Sequence, residues 1–125
     1  MKKTEKEISI NLVKKLAQEQ YGITGNTTKL NGELDLNFKI STKHSQYYLK
    51  IYNKCIDIKF AEFQEKVLNQ LNNSKEKRLY PKQILNKKGN AISSFYDKNN
   101  EKRFFRLNSW ICLLYTSDAA DDTLW

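Results

Sequence analysis

Gln46-Tyr47-Tyr48-Leu49-Lys50-Ile51-Tyr52 is the stretch on which the fold turns. It is rich in aromatic and branched residues, which suit a pleated, half-buried strand. Alternation puts Tyr48, Lys50 and Tyr52 on one face and Tyr47, Leu49 and Ile51 on the other. Upstream, Lys43-His44-Ser45 reads as the preceding turn. Before it, residues 37–41 and 27–30 have strand character and are separated by the turn signal Asn31-Gly32. Three successive strands joined by short turns predict an antiparallel meander.

Helices flank this meander. Thr4 followed three residues later by Glu7 fits a capping box. Ile8, Leu12, Val13, Leu16 and Ala17 then keep helical spacing up to a stop at Gly22. Residues 57–71 predict a second helix, in which Ile58, Ala61, Glu62, Glu65, Leu68 and Leu71 form a mixed stripe. Phe60, Phe63 and Val67 are expected to widen its apolar face. Residues 83–85, 91–96 and 102–111 read as strands joined by Lys88-Gly89-Asn90 and Asp97-Lys98-Asn99-Asn100. The expected class is α+β: one antiparallel sheet of about five strands, an N-terminal helix and one inserted helix.

Composition narrows the function. The chain has 125 residues, a formal net charge of +8 and a mean hydropathy of -0.74. Its apolar runs fall far short of the roughly 20 residues a membrane span needs. Met1-Lys2-Lys3 leads into charged residues instead of an apolar leader. These features predict a cytoplasmic protein with no membrane partner. Cys55 and Cys112 are too few for a disulfide framework or a zinc site, and His44 is the only histidine. No metal-ligating set is expected within the chain. The first 111 residues hold all 22 Lys+Arg and 11 Asp+Glu, a balance that raises nucleic-acid binding as an alternative. The lysines are scattered, however, and only Arg78, Arg103 and Arg106 could read bases by the usual guanidinium fork. A small structural or adaptor domain without a site is the other alternative.

Lys50 and Glu62 are the residues with a chemical reading. A strand lysine flanked by tyrosines can simply snorkel, and a helix glutamate can simply face water. Taken together, a strand lysine followed by a helix glutamate can grip nucleotide phosphates.

Five passages carry a resemblance to a known family. Tyr21-Gly22-Ile23-Thr24-Gly25 follows the first helix, and Gly32-Glu33-Leu34-Asp35-Leu36-Asn37-Phe38 matches a "GExDxNF" turn. Tyr48-Leu49-Lys50-Ile51 matches a "Y-x-LK" strand, with Glu62-Phe63-Gln64 opening the helix after it. Phe105-Arg106-Leu107 through Trp110-Ile111 matches the strand that enters an interlobe hinge. The stretch 21–111 thus resembles the protein-kinase-like N-terminal lobe of the aminoglycoside phosphotransferase and choline kinase superfamily, nearest its homoserine- and hydroxylysine-kinase-like branch.

The resemblance implies that Lys50 binds the α- and β-phosphates of ATP, with Glu62 as its partner and Glu65 as the fallback. Gly32, Glu33, Leu34 and Asp35 would lie in the loop over the phosphates, with Asn37 and Phe38 anchoring the turn. Ser109, Trp110 and Ile111 would approach the adenine through backbone groups. The catalytic aspartate and the Mg²⁺ ligands belong to the family's C-terminal lobe, so no catalytic residue is expected here. ATP and a small hydroxyl-bearing substrate, an amino alcohol or a hydroxy amino acid, would be partners of the full-length parent.

Residues 112–122 resemble one reading frame of the transposon-end adapter used for sequencing libraries. Residues 112–125 also lack Lys, Asn and Ile altogether, so the composition breaks at the same point. The expected organisation is an incomplete lobe over 1–111 and an adapter-derived tail over 112–125, catalytically inactive by itself.

Overall fold

The computed structural model describes residues 8–32, 35–73 and 81–110. Helix α1 spans Ile10–Tyr21, and the Ser9 hydroxyl caps it by accepting from the Leu12 N–H. The expected capping pair, Thr4 and Glu7, lies outside the described residues. Gly22 ends the helix at φ 72°, a left-handed conformation that a β-carbon resists. There follow β1 (Asn26–Leu30), β2 (Leu36–Ser41), β3 (Gln46–Ile51), α2 (Ile58–Asn72), β4 (Gln83–Ile84), β5 (Ile92–Tyr96) and β6 (Lys102–Ser109). Asp57 caps α2 by accepting from the Lys59 N–H.

All pairings are antiparallel, in the order β1-β2-β3-β6-β4, with β5 also on β6. The sheet has six strands, one more than expected. Two short strands share one edge of β6: β4 pairs at Leu107–Asn108 and β5 at Lys102–Arg106. On its other edge β6 meets β3, with Leu49 opposite Leu107 and Lys50 opposite Arg106.

The alternation expected of the meander holds. Leu36, Phe38, Ile40, Leu49, Ile51, Phe105 and Leu107 form one face and bury Val13, Leu16 and Ala17 of α1 against them. Tyr21 and Phe95 meet the Phe105 ring edge-on, at 6.1 and 5.7 Å between centroids. Each fully buried side chain of this size is worth about 1.5–3 kcal/mol. The opposite face is polar and carries Asn37, Tyr48, Lys50, Arg106 and Asn108.

Helix α2 covers that polar face with the Ala61–Glu65 line of its expected mixed stripe. Ala61 and Glu65 are buried, whereas Phe60 and Phe63 are 52% and 61% exposed and Val67 is exposed as well. The expected widening of the apolar face is corrected accordingly. A buried arginine opposite the helix requires a carboxylate, and an unpaired buried charge costs more than two exposed phenyl rings. Among the described residues, no helix is long and apolar enough to cross a membrane.

Candidate functional site

The site is a pair of cations on the polar face. Strand β3 supplies Lys50 and β6 supplies Arg106, register partners across one ladder and each 4% exposed. Like charges opposite one another repel, and each has its own carboxylate. The Lys50 ammonium lies 3.5 Å from Asp35 Oδ2. Asp35 is held in turn by the Asn53 backbone N–H at 2.9 Å and the Asn53 side-chain amide at 3.2 Å. Arg106 donates to Glu65 Oε2 at 2.5 Å, and the same oxygen accepts from the Tyr52 hydroxyl at 3.3 Å. The Gln83 amide donates to Glu65 Oε1 at 2.6 Å and to the Glu65 carbonyl at 3.0 Å. Glu65 therefore ties α2 to β4, β6 and the end of β3.

Burial and the neighbouring Arg106 lower the Lys50 pKa, and Asp35 and Glu65 only partly offset them. For Arg106 burial also works against the charge, but Tyr52 and Glu65 outweigh it and hold the pKa above its ordinary value. Burial pushes the Tyr48 and Tyr52 phenols up, against the pull of Arg106. The two tyrosines stay protonated beside the cations.

Of the expected phosphate-loop residues, Gly32 and Asp35 are described; Glu33 and Leu34 lie outside the described residues. A β-carbon on Gly32 would collide with the Asn37 amide nitrogen and the Asp35 carbonyl. Asn37 organises this turn. Its amide reaches the carbonyls of Asn31 and Asp35 at 3.4 and 3.5 Å, and its Oδ1 accepts from the Tyr48 hydroxyl at 2.7 Å. Phe38 sits in the core at 1% exposure. Asp35 is brought to Lys50 as its ion-pair partner, a part the sequence reading had given to the helix.

Glu62 is exposed. It borders an open groove of about 370 Å³ between α2 and β5, lined also by Ile58, Ile92, Ser93 and Phe104. The expected pairing of Lys50 with Glu62 is thereby corrected: Asp35 bridges Lys50, and the carboxylate that α2 turns inward is Glu65. Ala61 and Glu65, four residues apart, define the buried line of the helix.

The hinge-side expectations change too. The Ser109 N–H donates to the Lys82 carbonyl at 2.9 Å, and the Ser109 hydroxyl accepts from the Lys82 N–H at 2.8 Å. The Trp110 N–H donates to the Gln46 carbonyl at 3.0 Å. Both N–H groups are therefore engaged inside the sheet. The Trp110 indole lies edge-on to Tyr48 at 6.3 Å, with the Lys39 ammonium 4.6 Å from its centre. Ile111 lies outside the described residues.

Sequence reasoning missed Arg106 and Asn108 as site residues. The signal was present in Phe104-Phe105-Arg106-Leu107-Asn108, where alternation sets Arg106 and Asn108 opposite Phe105 and Leu107. Asn108 is fully buried, and neither Oδ1 nor Nδ2 has a hydrogen-bond partner. Two adjacent cations on a turn-capped face suit a polyanion such as a chain of phosphates. Among the described residues no group of three His, Cys, Asp or Glu side chains could hold a metal ion.

No family model matches the sequence, and no curated protein matches it. Solved structures share the fold. Spectinomycin phosphotransferase APH(9)-Ia, in complex with ADP and spectinomycin, superposes with a TM-score of 0.62 at 11% identity, over 82% of this chain and 30% of that one. Amicoumacin kinase hAmiN, in complex with AMP-PNP, Ca²⁺ and Ami, gives a TM-score of 0.59 at 18% identity, over 87% of this chain and 33% of that one. The fold is the α+β, protein-kinase-like N-terminal lobe. The chain spans about a third of the length of these structures.

Proposed function

We propose that the chain is the ATP-binding lobe of a small-molecule phosphotransferase that moves the γ-phosphate of ATP to a hydroxyl group. The observation that carries this reading is the buried Lys50–Arg106 pair, each cation held by its own carboxylate. The ADP and AMP-PNP named with the two matched enzymes support it. In this reading Lys50 contacts the α- and β-phosphates, and Asp35 keeps its ammonium extended toward them. Arg106 adds a second fixed charge, oriented by Glu65. Gly32 and Asp35 flank the expected phosphate loop, and the absence of a β-carbon at Gly32 makes room there for the Asn37 amide and the Asp35 carbonyl.

The arrangement fits a triphosphate: two buried cations side by side match an anion with several charged oxygens. Bound Mg²⁺ would neutralise phosphate charge. We assign its ligands and the catalytic aspartate to a second lobe, because the chain spans a third of the matched structures. The 125-residue chain alone would then bind ATP weakly and transfer nothing. The acceptor class we infer is an amino alcohol or a hydroxy amino acid, phosphorylated in the cytoplasm. Residues 112–125 take no part and derive, in this reading, from a sequencing adapter; reading the locus from unfragmented DNA checks that.

The test is Lys50→Ala in the full-length parent. ATP-dependent transfer should fall by about 10²-fold or more, as loss of a transition-state charge clamp does, with an unchanged circular dichroism spectrum. Retained transfer overturns the assignment of Lys50.

A further inference from the structure

The polar face has an edge that backbone pairing does not reach. The β2–β3 ladder ends with Leu36 opposite Ile51, so Asp35 stands one residue beyond the last registered pair. Its carboxylate, which meets the Lys50 ammonium, is placed by contacts with Asn53 just past the end of β3. The Asn53 backbone N–H and side-chain amide both donate to Asp35 Oδ1, at 2.9 and 3.2 Å. Oδ2 is left to face Lys50 at 3.5 Å. Asn53 is itself fixed by the turn that follows it. Its Oδ1 accepts from the Cys55 N–H at 2.9 Å, and its carbonyl accepts from the Ile56 N–H at 3.2 Å. A carboxylate gripped twice at one oxygen cannot rotate without breaking both bonds, and bonds to an ionised acceptor are the strong ones.

Resting on the ATP reading above, we propose that Asn53 is a positioning residue that sets the Lys50 ammonium through Asp35. The contacts from Cys55 through Asn53 and Asp35 to Lys50 all lie before α2 begins at Ile58. The lysine that grips the phosphates is therefore placed from this turn, whereas Arg106 is placed from α2 through Glu65. The two cations have separate supports: a shift of α2 disturbs Arg106 and leaves Lys50 aligned. An ammonium already held in place loses less freedom when the phosphates arrive, which favours binding. Asn53 touches no phosphate in this scheme, so its effect passes through Lys50.

The test is a double-mutant cycle on ATP and inorganic tripolyphosphate binding, read from amide shifts of the ¹⁵N-labelled 125-residue chain. Asn53→Leu and Asn53→Ala should weaken both ligands about fivefold, the effect of one hydrogen bond. Asn53→Ser keeps a hydroxyl that donates to Asp35 and accepts from the Cys55 N–H, and should stay within about twofold of wild type. With Lys50→Ala in place, Asn53→Leu should weaken neither ligand further, whereas a merely structural loss would add to it. Unchanged affinity in both Asn53→Leu and Asn53→Ala, or an equal loss without Lys50, overturns the role of Asn53. A ligand-free measurement checks the same contacts. Asp35, with Glu65, works against the burial and the Arg106 charge that lower the Lys50 pKa. In ¹³C-lysine-labelled Asn53→Leu, Lys50 should therefore titrate at a lower pH than in the wild type, and an unmoved titration overturns the role as well. Phosphate binding that Lys50→Ala leaves intact, or that the wild type lacks while the Lys50 titration moves, overturns the phosphate site instead. The two failures are therefore distinguishable.

Discussion

The two faces of the sheet are built from the same strands and solve opposite problems. On the α1 face Phe38, Leu49, Phe105 and Leu107 fit together by shape, and the buried Ser93 opposite Phe105 is matched by the Tyr21 hydroxyl and the Asn86 amide. On the α2 face Lys50, Arg106 and Asn108 are just as buried, but each must be matched by a specific atom. Asp35 and Glu65 provide two of those matches, and Asn108 has none. A face stabilised by area tolerates many sequences; a face stabilised by pairing tolerates few and retains unmet valence for a ligand.

Breaking the apolar face should cost most. Phe105→Ala leaves a cavity beneath Tyr21 and Phe95 and should lower stability by about 3–5 kcal/mol in a denaturant titration. Glu65→Ala should cost about 3 kcal/mol, because Arg106 is left buried without its carboxylate. The double substitution Glu65→Leu with Arg106→Met should recover most of that loss. If the double variant is no better than the single, the polar face is not governed by pairing and the contrast fails.

A smaller effect appears as a pH dependence. Lys50 has its pKa lowered in the folded chain, so below the unfolded value of 10.5 the unfolded state holds more protons. Its contribution therefore makes stability rise with pH through that window. The raised phenols of Tyr48 and Tyr52 act oppositely, but only above their ordinary value of 10.0. As the pH rises toward 10.0 the melting temperature of the wild type should gain on that of Lys50→Met. Parallel curves for the two proteins would show that Lys50 is not desolvated in solution. Smallest of all, Glu62→Ala should shift stability by no more than about 0.5 kcal/mol, as expected of an exposed site. A loss near that of Glu65→Ala would return Glu62 to the polar face.

These outcomes bear on what could be read in advance. Strand alternation placed Lys50 with Tyr48 because a period of two leaves only two faces to choose between. The turn at Gly32 was legible for a similar reason: close approach excludes a side chain. The phase of α2 was only partly legible: Ala61 and Glu65 belong to the mixed stripe, but nothing in the helix separates Glu65 from Glu62. Ile58, Phe60, Phe63 and Val67 advertise an apolar stripe, but the helix turns on the line that brings Glu65 to Arg106. That choice depends on a residue 41 positions away, which helical periodicity within α2 cannot register. Glu62 was selected for its place in a motif; Glu65 is selected by the charge it meets. The pairing of the Trp110 and Ser109 N–H groups was hidden for a related reason, since their acceptors Gln46 and Lys82 are distant in sequence.

Among the described elements, strand β6 is the one that pairs with β3, β4 and β5 together. Its pairing partners in β3 precede it by more than fifty residues, so on the ribosome the β1–β3 meander emerges long before its neighbour exists. At about 5–20 residues per second, the nascent chain spends several seconds with one edge of β3 open. During that interval Lys50 lacks the flanking strand and α2 lacks the arginine that orients it. The order of synthesis thus leaves both faces of the lobe incomplete until β6 emerges, because Phe105 and Leu107 close the apolar face from the same strand that brings Arg106 to the polar one.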